Sequence, residues 1–159
     1  ATQRSGVERI QHTGTFNANP LSAAAGVAAL ELIATSDACE RANDYAGKMR
    51  DGLRAVLKEE GVRWPVYGEY STFHVFPEIT EGFDPADAGD IIMNAAPRAD
   101  MMRKLRLGML VNGVDMNGQI WGFTSAAHGA SELDKTVSAF ARTIHAMKRE
   151  GDIARAGTC

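Results

Sequence analysis

Only two cysteines occur in 159 residues, Cys39 inside a helical pattern and Cys159 at the last position. They supply no disulfide framework of the kind that staples small secreted domains, and a reducing, cytoplasmic setting is expected. Excess positive charge is also missing. Seventeen Lys and Arg stand against 20 Asp and Glu, a formal net charge of −3, so neither nucleic acid nor an anionic membrane is an expected partner. The longest apolar run, Leu21 to Ala34, is broken by Ser22 and Glu31 and falls short of the ~20 residues a membrane span needs. The opening ATQRSGVERIQ has no initiator Met and no apolar stretch of a signal peptide, and a fragment of a longer protein is expected.

Motifs are equally sparse. GxGxxG after a strand, GxxxxGKS/T, GxSxG, HExxH and a CxxC pair are all absent, which removes the usual signatures of several enzyme classes. His12, His74, His128 and His145 stand far apart without metal-ligand spacing, so no metal is expected. What remains, 45% hydrophobic and 23% charged residues, is ordinary globular composition.

The apolar residues are patterned. Asn19 is a good N-cap and Pro20 suits the first helical position, which predicts a helix to about Ala34. Ala23, Ala24, Ala25, Gly26, Ala28 and Ala29 make that helix small on every side, and it is expected to be buried. Asp37 with Glu40 resembles a capping box, followed by Ala42, Tyr45, Met49, Leu53, Val56 and Leu57 at helical spacing up to Gly61. Val62 to Phe76 reads as two short strands around Gly68. Ala86 to Ala95 is weakly helical, Pro97 separates it from a short helix over Arg98 to Leu107, and Met109 to Val114 and Gln119 to Thr124 read as strands. Ser131 with Asp134 is read as the cap of a last helix, whose stripe Leu133, Val137, Phe140, Ile144 and Met147 runs until Gly151. This order predicts an α+β fold, a small antiparallel sheet covered on one face by helices.

Local physics points at a ligand in one place, HTGTFNANPLSAAAG from His12 to Gly26. Thr13, Gly14, Thr15 and Phe16 precede the capped helix, so hydroxyls and backbone N–H groups can converge on an anion such as a phosphate. The alternative is that Gly14 only turns the chain and the threonines solvate a loop.

The block GTFNANPLSAAAGVAALELI, Gly14 to Ile33, resembles the segment that class III, fold-type I pyridoxal phosphate aminotransferases carry shortly after their catalytic lysine. The later stretch GMLVNGVDMNGQIWGFTSAAHGASELDKTVSAF, Gly108 to Phe140, is similar to the C-terminal strand pair and last helix of that family, with glutamate-1-semialdehyde 2,1-aminomutases nearest in pattern. The resemblance implies a C-terminal portion of such an enzyme: residues 1–35 as the end of the large domain with a dimer-interface helix, 36–151 as the small domain, and 152–159 as a polar tail. It implies pyridoxal 5'-phosphate as cofactor, and amino acid and keto or aldehyde compounds as substrates. It also implies a homodimer in which Thr15, with a backbone contact from Gly14, reaches the phosphate of the cofactor held by the neighbouring subunit.

Two departures qualify that expectation. Pyridoxal chemistry needs a lysine amine and an acidic partner for the ring nitrogen, and the family places both before the Gly-Thr pair. The five lysines here, Lys48, Lys58, Lys104, Lys135 and Lys148, all follow Thr15, so the Schiff-base lysine is expected upstream of Ala1. Where aminomutases have a glutamate two residues before their Gly-Phe pair, this chain has Ile120, which removes a charge able to hold an amine. Trp121 beside it either walls an apolar substrate pocket or packs in the core. The reading from a different class is a freestanding α+β interaction module without catalysis.

Overall fold

The computed structural model describes residues 14–79, 82–94, 98–118 and 120–153. His12, Thr13, Pro97 and the end of the tail lie outside them. The chain divides into two units, Ala1–Ser36 and Asp37–Cys159.

In the first unit Asn19 caps helix α1, Pro20–Thr35, through its side-chain oxygen, which accepts from Leu21 N at 2.9 Å and Ser22 N at 3.3 Å. Pro20 takes the first helical position, where no N–H partner is lost. The expectation of a buried helix is corrected: no residue of α1 is buried. Leu21, Val27, Leu30, Leu32 and Ile33 are all exposed, because a helix apolar on every side needs neighbours on every side, and none of the described residues of its unit supplies them.

The second unit runs α2 (Ala38–Glu59), β1 (Val66–Tyr67), β2 (Thr72–Val75), a 3-10 turn (Pro85–Asp87), α3 (Ala88–Met93), α4 (Ala99–Val111), β3 (Trp121–Phe123) and α5 (Ala130–Glu150). Ala42, Tyr45, Ala46, Met49, Leu53, Val56 and Leu57 bury one stripe of α2. Phe140, Ile144 and Met147 do so for α5, and Met101, Met102, Leu105 and Met109 for α4. These stripes meet Val66, Phe73 and Val75 of the sheet in one core, each large side chain contributing about 1.5–3 kcal/mol by leaving water. The sheet is antiparallel in the order β1-β2-β3, with Val66 opposite Val75 and Phe73 opposite Gly122.

Three local expectations are corrected. Met109–Val114 is not a strand; it continues α4, because Met101, Leu105 and Met109 hold helical spacing and the helix stops only at Asn112 and Gly113, the latter at φ 84°. A short apolar run of this kind fits either element by periodicity alone. Asp37 precedes α2 without capping it: its ψ of 19° is near helical, whereas a capping side chain needs extended backbone. At α5 the cap falls on Gly129, whose N–H donates to Glu132 Oε2 at 2.9 Å, two residues before the Ser131 expected.

α5 also ties down the end of α2. Lys148 Nζ donates to the Glu60 carbonyl and lies 3.0 Å from Glu60 Oε2, while His145 Nδ1 is 3.3 Å from Oε1. The Lys148 hydrogen bond, ahead of that from His145, holds the Glu60 carboxyl below its usual pKa. A carboxylate with a lowered folded-state pKa stabilises fully above its unfolded value, ~4.3, and loses that contribution as pH falls through the folded one. Glu60→Gln is therefore expected to flatten the acid side of the stability curve below about pH 4.5, measured by urea unfolding at stepped pH. An identical acid limb in both proteins would refute the linkage.

Candidate functional site

The turn before α1 is built by Gly14 to Asn19. Asn17 N donates to Gly14 O at 3.3 Å and Asn19 N to Phe16 O at 3.1 Å. A Cβ on residue 14 would stand 2.5 Å from Asn17 Oδ1, the end of an exposed side chain that can rotate aside. Among the described residues, neither the Thr15 hydroxyl nor the Thr15 and Phe16 amides has a partner, whereas the first α1 amides are already taken by Asn19. Donors for an anion therefore lie in the turn at Thr15 and Phe16, one step upstream of the helix end where phosphates usually sit. Phe16 beside them is 76% exposed.

In the second unit the sheet has two unlike faces. Val66, Phe73 and Val75 point into the core. Tyr67, His74 and Trp121 form a row on the opposite face, since Tyr67 pairs with His74 and His74 with Trp121. All three line a cavity of about 420 Å³ together with Glu69, Phe76 and Ile92. His74 and Phe76 stack with ring centres 4.3 Å apart, and Tyr67 Oη donates to Glu69 Oε1 at 2.7 Å. That hydrogen bond raises the Tyr67 pKa, so the phenol keeps its proton.

Two arginines of α2 fix the hairpin behind this row. Arg50 Nη1 donates to Thr72 O at 2.6 Å and to Tyr70 O at 3.2 Å. Arg54 donates to Val66 O through Nε at 3.2 Å and Nη2 at 2.8 Å. Asn117 brackets Trp121, giving Nδ2 to its carbonyl at 2.9 Å and taking its N–H at 3.3 Å.

Trp121 is half-buried and walls the cavity. Ile120 is fully buried in the core at φ 55°, a conformation that costs a β-branched residue about 1–3 kcal/mol and that dense packing around it sustains. A carboxylate in its place would lie among apolar neighbours. Tyr67, Glu69 and His74 were not singled out as a group from sequence. The signal for them is the period-two alternation Phe73, His74, Val75 beside Val66, Tyr67, which puts polar-tipped rings on the face away from the core.

All five lysines lie on α2, α4 and α5. Lys104 pairs with Asp152 at 2.7 Å and Asp100 at 3.3 Å, and Lys148 with Glu60. The two carboxylates raise the Lys104 pKa, the reverse of what a nucleophilic amine requires. Among the described residues no group of three or more His, Cys, Asp or Glu is placed to hold a metal, and no single helix is long and apolar enough to cross a membrane.

Known proteins resolve what this arrangement resembles. No family model matches the chain. A glutamate-1-semialdehyde 2,1-aminomutase of Methanopyrus kandleri is 30% identical over 139 residues, 86% of this chain and 31% of the relative. One from Halobacterium salinarum is 29% identical over 150 residues, 80% of this chain and 33% of the relative. An omega-transaminase from Sphaerobacter thermophilus superposes with a TM-score of 0.69 at 28% identity, over 86% of this chain and 30% of that one. The chain fits a C-terminal portion of an aminotransferase. It spans about a third of the length of the curated relatives it matches. The Asp37–Cys159 unit holds the small antiparallel sheet and its helices, and the chain's lysines lie on those helices.

Proposed function

We propose that this chain is the C-terminal part of a class III, pyridoxal 5'-phosphate-dependent aminotransferase or aminomutase, working in the cytoplasm as a homodimer. The enzyme moves an amino group between an amino acid and a keto or aldehyde compound. One observation carries the site assignment: among the described residues, nothing pairs with the Thr15 hydroxyl or the Thr15 and Phe16 amides, in front of a helix already capped by its own asparagine. Those donors suit the phosphate end of the cofactor, where charge-assisted hydrogen bonds are strong and short.

When bound, the cofactor supplies an aldehyde that takes up amines and a ring that draws electrons from them. The residues of this chain bind and orient. Thr15 holds a phosphate oxygen through its hydroxyl, Gly14 lets Asn17 close the turn beneath it, and Asn19 with Pro20 fixes where α1 begins. The exposed apolar side chains of α1 suit the interface with the second subunit, across which Thr15 reaches. Residues 1–35 then belong to the end of the large domain and 36–151 to the small domain.

The test uses the native protein. Its intact mass is expected to exceed the 17.1 kDa of these residues, with the near-ultraviolet to visible absorption of bound cofactor. Thr15→Ala is expected to weaken cofactor retention about tenfold or more, as loss of one charge-assisted hydrogen bond predicts, with the melting temperature of the cofactor-free protein unchanged. A native species of 17.1 kDa without that absorption would overturn the reading, and equal retention by Thr15→Ala would overturn the phosphate contact.

A further inference from the structure

We propose that the cavity between the N-terminal ends of α2 and α5 binds a small organic carboxylate, held by the Tyr45 phenol, the His128 Nε2–H and the Lys48 ammonium. The site is built from residues of the Asp37–Cys159 unit and does not rest on the cofactor reading.

Helix register brings these groups together. α2 and α5 lie side by side and run the same way, since Gly52 meets Val137 and Glu60 meets Lys148. The loop before α5 therefore lands beside the start of α2, where Arg41 Nη2 donates to Ala126 O at 2.8 Å and the Tyr45 and His128 rings stack with centres 5.2 Å apart. With those two rings, Arg41, Asp44, Lys48 and Leu133 line a cavity of about 250 Å³. That is just below the ~300–1,000 Å³ of drug-sized sites and suits a ligand of a few carbons.

Three donors there have no partner among the described residues. Tyr45 is only 8% exposed, yet nothing described pairs with its hydroxyl. Every fully buried side-chain N or O among the described residues has a partner, so the phenol oxygen must open into the space that its ring walls. Burial, and then the charges of Glu132 and Asp134, raise its pKa, which keeps the phenol a donor. His128 Nδ1 accepts from Ser125 N at 3.0 Å, which leaves the proton of the neutral ring on Nε2. Nothing described pairs with Nε2, nor with the Lys48 ammonium, whereas Lys104 and Lys148 both hold carboxylates.

Charge selects the ligand. Arg41 and Lys48 outnumber Asp44 in the lining by one, which matches a monoanion. Tyr45 and His128 also wall a second cavity, of about 240 Å³, whose charged residues are Asp115 and Glu132 alone. The field there repels an anion and favours the Lys48 side. Glu132 Oε2 already accepts from Gly129 N at 2.9 Å, so the end of α5 is taken and side chains must hold the ligand. Leu133 and the ring faces receive a short apolar tail.

The experiment is a titration of the full chain with butanoate, butan-1-ol and butylammonium, followed by the ring shifts of Tyr45 and His128 and the methyl shifts of Leu133. Butanoate is expected to bind with a Kd on the order of 1 mM. The alcohol should bind about three- to fivefold more weakly, as an exposed charge pair predicts, and butylammonium should show no saturable shift. Lys48→Gln should bring butanoate down to the alcohol while keeping the alcohol's own affinity, which separates lost charge from lost fold. Tyr45→Phe keeps the stacked ring and should weaken butanoate about three- to tenfold through one lost hydrogen bond. No saturable binding of butanoate, equal binding of butylammonium, parent affinity in either variant, or shifts at Thr15 instead of Tyr45 and His128 would overturn the proposal.

Discussion

Phe140→Ala is expected to destabilise the Asp37–Cys159 unit by about 3–5 kcal/mol, the usual cost of deleting a buried phenylalanine. Phe140 is 1% exposed and lies in the stripe of α5 that meets α2, α4 and the sheet. Its neighbours in that core include Leu53, Leu105, Met109 and Ile144, each 2% exposed or less. Side chains packed that tightly relax only partly around a deleted ring, so a cavity term adds to the lost transfer energy. Domains of this size have about 5–15 kcal/mol in all, so the variant should unfold at a much lower urea midpoint with an unchanged slope. A loss below 1 kcal/mol would mean that α5 is not the central helix of the core.

The helices show what the sequence could and could not disclose. α2 and α5 were readable because their apolar residues recur at 3.6-residue spacing and a glycine follows each: Gly61 at φ 67° and Gly151 at φ 85°. The last turn of α4 was not, because Leu110 and Val111 are exposed apolar residues that mimic a strand when read without their burial. Caps were half legible. Asn19 was plain because an asparagine before a proline has few other uses, whereas Asp37 and Ser131 satisfied the spacing of a capping box while the backbone put the helix starts elsewhere.

The candidate sites divide the same way. Thr15 and Gly14 stood out as a local string, and local strings survive folding. The Tyr67, His74 and Trp121 row joins residues up to 54 positions apart through strand register, which no local string encodes. Trp121 was visible alone because indoles are few; its partners became visible only once β2 lay between β1 and β3. The exposure of α1 is also beyond local reading, since an alanine-rich helix announces that it must be covered but not by what.

Gly68→Ala should test whether that row is held as rigidly as the register implies. A Cβ at Gly68 would stand 2.4 Å from the Thr72 carbonyl oxygen and 2.9 Å from Phe73 Cα. Both are backbone atoms and cannot rotate aside. Relief requires β1 and β2 to part, which pulls Thr72 O from Arg50 and separates Tyr67 from His74. Overpacking of this kind costs about 1–3 kcal/mol, against which alanine returns about 0.4–1 kcal/mol through a stiffer unfolded chain. A net loss of about 1–2 kcal/mol is expected, with amide shifts concentrated at Tyr67, Thr72 and His74. Gly118→Ala is the control, since nothing lies within 4 Å of its Cβ position, and it should stay within about 0.5 kcal/mol of the parent. If Gly68→Ala were as neutral as the control, the hairpin would have to open freely, and the strand register would not be what holds the row.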